Sequence, residues 1–168
     1  MTRTVTDGTF LLLAVVVQVT WLPHVSLLGT DPNLALLAVV GWTWVRGSRA
    51  GLLCALAAGL LLDFTASGPL GIHAIALLAG AYLSGLVAGR LQEGRILVPA
   101  AAAALASLAY GLIVIGGGET LGQPLPPAGV ARVLLLGGAL YNAALMPLVL
   151  LALRRLDSML PSSGVELW

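Results

Sequence analysis

Apolar residues along this chain fall into long runs, and nearly all the charge sits in the short joints between them. A backbone inside lipid must satisfy its own hydrogen bonds, so runs of this kind read as membrane-crossing helices. The pattern predicts an all-α, polytopic membrane protein, one integral membrane domain over 1–168 with about six short transmembrane helices at about 10–28, 32–45, 50–63, 70–88, 96–115 and 130–153. A transmembrane barrel would alternate in polarity over roughly ten-residue segments, and Leu134 to Leu136 and Ala100 to Ala104 do not.

The second and third runs are short. Fourteen uncharged residues separate Asp31 from Arg46 and thirteen separate Arg49 from Asp63, so each helix covers only about 20 Å of a core about 30 Å thick. Arg46 and Arg49 can snorkel to the surface, whereas Asp63 has a short stem and is left near or below the outer interface. A re-entrant hairpin would strand both arginines away from water, so two short spans are the better reading. Ser67, Gly68 and Pro69 form a breaker cluster suited to a tight turn, and Gly116 to Gly118 are expected to end the fifth helix. The Pro-rich loop from Glu119 to Ala128 follows, and Pro147 is expected to bend the last helix.

Arginine placement orients the chain, because basic residues stay cytoplasmic in short loops. With six alternating spans, Arg3, Arg46, Arg49, Arg90, Arg95, Arg154 and Arg155 share one side and Arg132 alone falls on the other. Seven against one predicts that both termini lie in the cytoplasm, and adding or dropping one helix would scatter the pattern. Arg3 before an apolar run has the look of a signal peptide, but no small-x-small cleavage site precedes Pro23, so the run is expected to be a retained first helix.

Composition agrees: 59% of residues are hydrophobic, 9% are charged and mean hydropathy is +1.02, against about a quarter charged in a soluble domain. Eight Arg, no Lys and seven acids leave a net charge of +1, with no basic block for nucleic acid or for a polybasic lipid contact. Membrane lipid is the expected surround. A single cysteine, Cys54, excludes an internal disulfide.

Among polar side chains Asp63 is the most informative, since a carboxylate at the end of a short apolar helix needs a partner or water. Arg132 is its candidate partner, with Asp31 and Glu119 as competitors for the same cation. Asp31 reads as an N-cap, Pro32 as the first helical turn and Asn33 as part of the same start signal. His24 and His73 have no second ligand at i+3 or i+4, so no metal or other cofactor is expected. Tyr141 and Asn142 fall inside the last helix, where an amide seeks a partner across a helix contact. Trp21, Trp42 and Trp44 read as interfacial anchors. Gly51, Ala55 and Gly59, then Ala81, Gly85 and Gly89, then Ala103, Ser107 and Gly111 recur at every fourth position, marking seams that are internal or face a partner. No zinc-protease, nucleophile-elbow or phosphate-loop pattern occurs, so the chain is not expected to be an enzyme.

From Gly51 to Gly71 the string joining Gly59, Leu61, Leu62 and Asp63 to the turn Gly68-Pro69-Leu70-Gly71, preceded by Asp31-Pro32-Asn33 and Trp42, resembles the MreD family of bacterial rod shape-determining proteins. Length, span count and orientation look similar to that family too, whereas the second half resembles it only through Tyr141 and Asn142. The resemblance implies a non-enzymatic scaffold that binds MreC, in an elongation complex with RodA, a class B penicillin-binding protein and MreB. It also implies a fold similar to the S component of energy-coupling-factor transporters. Asp63 and the Gly68 to Gly71 turn would then shape the outer surface, with small-residue seams receiving the MreC helix. The alternative is a solute-binding S-component-like subunit of a vitamin transporter, which needs several convergent polar groups. Gln18, Thr43, Ser84, Ser107 and Asn142 are scattered along the sequence, and the first helix lacks the Ala-x-x-x-Ala pattern of such subunits.

Overall fold

A computed structural model describes residues 31–66, 69–91 and 97–159. Among these the chain is all helical: α1 Leu34–Arg46, α2 Ser48–Thr65, α3 Ile72–Arg90, α4 Leu97–Thr120, α5 Ala128–Arg132, a π-helical turn at Val133–Gly137, and α6 Gly138–Met159. Four stretches are long and apolar enough to cross a membrane: Ser48–Thr65, Ile72–Arg90, Leu97–Thr120 and Ala128–Met159, the last running from α5 through the π turn into α6. The run expected as the second span is the 13-residue α1, which at 1.5 Å per residue is about 20 Å long. The expected first span at 10–28, with Trp21 and His24, lies outside the described residues, as do Arg3, Arg95, Ser67 and Gly68.

The short α1 is viable because protein surrounds it. Nine consecutive residues, Ala35 to Thr43, are buried, more than two turns with no exposed face. Helix ends at membrane depth are tolerated where protein, not lipid, receives them, and both ends of α1 are received. At its start Asn33 caps Leu36, and at its finish the Arg46 guanidinium pairs with Asp157 at 2.8 Å and lies 4.4 Å from the Trp42 ring centre.

Helix order follows from close approaches. Gly51 faces Thr43 across the one-residue link at Gly47, and Gly59 faces Ala74, so α1, α2 and α3 fold back on one another in turn. His73 meets Tyr110 and Gly80 meets Ala106, making α3 and α4 antiparallel, and Ser107 meets Asn142 while Gly111 meets Leu135, making α4 and α6 antiparallel. Asn33 with Asn142, Gly41 with Val149 and Arg46 with Asp157 set α1 and α6 parallel. In consequence Arg46, Arg49, Arg90, Arg154 and Arg155 gather at one end of the bundle, and Arg132 lies at the other.

Several expectations change. The run Gly116 to Gly118 does not end the fifth helix, which continues to Thr120. Gly117 is held against Ile72, and the stop comes at Gly122, whose φ of +83° is open to glycine at little cost. There Gly122 N–H donates to Glu119 O and Gln123 N–H to Gly118 O, the paired bonds of a Schellman ending. Trp42, 1% exposed, packs inside the bundle and not at a lipid interface, whereas Trp44 is half-buried and donates from Nε1 to Ser84 Oγ at 3.1 Å. Pro147 sits inside α6 and Cys54 is a buried thiol.

Candidate functional site

At the end of the bundle opposite the arginine cluster, polar side chains from every long helix meet in a buried belt. It starts from a shortage. The first N–H groups of a helix have no internal acceptors, and α3 opens with Gly71 at its cap position, which offers no side chain. Gly71 takes a φ of +98°, a conformation costly for any residue with a Cβ, and this turns the chain so that the first turn of α3 points back at α2. Asp63, 3% exposed near the end of α2, supplies the missing acceptors: Oδ1 receives His73 N–H at 2.9 Å and Oδ2 receives Ala74 N–H at 3.1 Å. A carboxylate at a helix N-terminus is favoured by both the free donors and the helix dipole.

The expected Asp63–Arg132 ion pair is therefore not formed. Arg132 is exposed on α5, and Asp63 needs no cation because two backbone donors and the positive end of α3 already hold it. The expected cap also moves. Asn33 Oδ1 accepts Leu36 N–H at 2.9 Å and helix begins at Leu34, while Asp31 is exposed and Pro32 is buried just before the cap.

His73 extends the belt through its ring, with Nδ1 2.6 Å from Tyr110 Oη and the two rings stacked at 5.9 Å between centroids. On the far side Asn142, 2% exposed, accepts Asn33 N–H at 2.9 Å and donates from Nδ2 to Ser107 Oγ at 2.6 Å. One amide thus ties α6 to the start of α1 and to α4. Tyr141 is half-buried and makes no side-chain hydrogen bond among the described residues. Pro69 is half-buried and Leu70 exposed, on the turn into Gly71; Gly68 lies outside the described residues.

Beside the belt a cleft of about 250 Å³ opens between α4 and the π turn with α6. Asn33, Ser107, Tyr110 and Asn142 line its inner part, and Val114, Ile115, Leu134 and Leu135 its walls. Among the described residues there is no group of three His, Cys, Asp or Glu that could hold a metal ion.

Sequence reasoning singled out Asp63, Asn33 and Asn142 but not Tyr110, and it treated Ser107 as one of several scattered polar groups. The usable clue was their spacing: Ser107 and Tyr110 are i, i+3 on one helix face. The small-residue seams prove internal where they are buried. A Cβ at Gly59 would overlap the backbone of Ala74, one at Gly51 the Thr43 side chain and one at Gly85 the Ser48 hydroxyl, so these positions bring helices of this chain together and do not receive a partner. Gly89, by contrast, is exposed with open space around it.

A family model described as rod shape-determining protein MreD matches residues 3–155. No curated protein and no solved structure matches the chain.

Proposed function

Because the chain belongs to the MreD family of rod shape-determining proteins, we propose that it is a non-enzymatic membrane scaffold of the bacterial cell-wall elongation machinery, binding MreC and supporting rod shape and lateral peptidoglycan synthesis. The family match over residues 3–155 carries this reading. The belt supports it, because its polar groups are used in joining helices: Asp63 on two backbone donors, His73 on Tyr110, and Asn142 on Asn33 and Ser107. A solute-binding subunit would instead aim several unmatched polar groups into a pocket, and nothing here favours that alternative.

On this reading the protein lies in the inner membrane with both termini cytoplasmic, the arginine-bearing end facing the cytoplasm. The turn through Pro69, Leu70 and Gly71 shapes the periplasmic surface, with the buried Asp63 holding the start of the helix that the turn leads into. The buried seams are already occupied, so the MreC helix docks on the exposed apolar exterior, and RodA, the class B penicillin-binding protein and MreB assemble around that pair.

Affinity purification of the tagged full-length chain from its own membranes tests the reading. An MreC-like single-span protein is expected in the eluate, and depletion is expected to round rod-shaped cells. Copurification of an ATPase module without MreC, or rods that persist after depletion, would overturn it.

A further inference from the structure

The α4–α6 cleft is built unlike a solute pocket. Asn33, Ser107, Tyr110 and Asn142 stand at its inner end, yet no side-chain polar atom among them is buried without a partner. An occupant reaching that floor therefore finds matched polar groups and apolar walls, an environment suited to hydrocarbon. Along α4 the lining runs from Ser107 to Ile115, and along the opposing helix from Asn142 to Leu134; eight steps on each side make a slot about 12 Å long at 1.5 Å per residue. Its volume depends on missing side chains, since Gly138 lines it and a Cβ there would have no neighbour within 4 Å.

One turn before Leu135, which lines the slot, the same helical stretch carries Arg132, exposed and without an ion-pair partner among the described residues. An apolar slot with a cation one turn further along the same helical stretch matches, in order, a length of acyl chain followed by a phosphate. We propose that the cleft holds one chain of an anionic phospholipid from the leaflet at the Arg132 end, with the phosphate on the Arg132 guanidinium. The π turn at Val133–Gly137 links the two parts of the site, carrying Leu134 and Leu135 in the wall directly after the cation, and such turns recur at functional positions in helices. This inference rests on the membrane reading of the chain and stands independently of MreC binding.

The full-length chain, purified in neutral detergent and stripped of lipid, is titrated with phosphatidylglycerol or phosphatidylcholine of equal chain length, and bound lipid is counted by native mass spectrometry. One saturable site is expected, with phosphatidylglycerol preferred about five-fold, the worth of one arginine at a membrane surface. Arg132→Gln should remove the preference while leaving phosphatidylcholine binding in place. Gly138→Leu, which fills open space, should weaken both lipids with an unchanged melting temperature. Equal binding of the two lipids by the unaltered chain would overturn the proposal, as would a preference that survives Arg132→Gln. A dimer mass in place of lipid adducts would assign the cleft to a second copy and overturn it equally. Arg132 is exposed, so its variant keeps the test decisive even if Gly138→Leu misfolds.

Discussion

Asp63 shows how little a formal charge says about its partner. Read along the sequence it asks for a cation; in the fold it satisfies two backbone donors that would otherwise face an apolar interior. An unsatisfied buried donor costs about 1–3 kcal/mol, so Asp63→Ala should destabilise the protein by about 2 kcal/mol or more. Asp63→Asn keeps one acceptor oxygen and should lose less, and Arg132→Gln should leave the melting temperature unchanged. Thermal unfolding in detergent checks all three, and a loss for Arg132→Gln equal to that for Asp63→Ala would restore the ion pair. Asn142→Leu removes bonds to Asn33 and Ser107 together. At about 0.6 kcal/mol for an average hydrogen bond within a membrane, it should cost about 1 kcal/mol, and adding Ser107→Ala should cost less than the sum of the two. The need for partners at Asp63 and Asn142 was legible in the sequence, but their identities were not: Asn33 and Asn142 are 109 positions apart, and no local pattern encodes such a meeting.

At the scale of elements, small residues set the spacing between helices. Gly59 lies against the backbone of Ala74, which cannot rotate aside as a side chain can. Gly59→Val should therefore push α2 from α3, and forcing bulk into a packed contact costs about 1–3 kcal/mol. Gly89→Ala meets nothing within 4 Å and lies inside a helix, where alanine is preferred over glycine by about 1 kcal/mol; it should be neutral or stabilising. Equal losses for the two variants in a thermal melt would refute the distinction between seam and surface. Both glycines belong to every-fourth-position series in the sequence. Only burial separates them, because a series of small residues says which helix face can approach another and not whether one is there.

For the whole molecule, the alternation of α1 to α6 collects Arg46, Arg49, Arg90, Arg154 and Arg155 at one end. In a Cys54→Ser background, single cysteines at Ser48 and Leu91 should react with an impermeant thiol reagent only after the membrane is opened, while one at Leu121 should react in intact cells. Labelling of positions 48 and 91 from opposite sides would refute the alternation. Hydropathy and arginine placement were sufficient for this level, since both follow from the cost of moving charge through lipid, a property of each segment by itself. They determined the helical class, the order of the runs and the gathering of the basic joints at one end of the bundle. Tertiary structure alone decided that a 13-residue helix could sit in the middle, that Asp63 closes the start of α3, and that a cleft opens between α4 and α6. Each of these depends on which atoms of distant segments come within about 3–4 Å, a distance that packing sets and the period of a sequence does not contain.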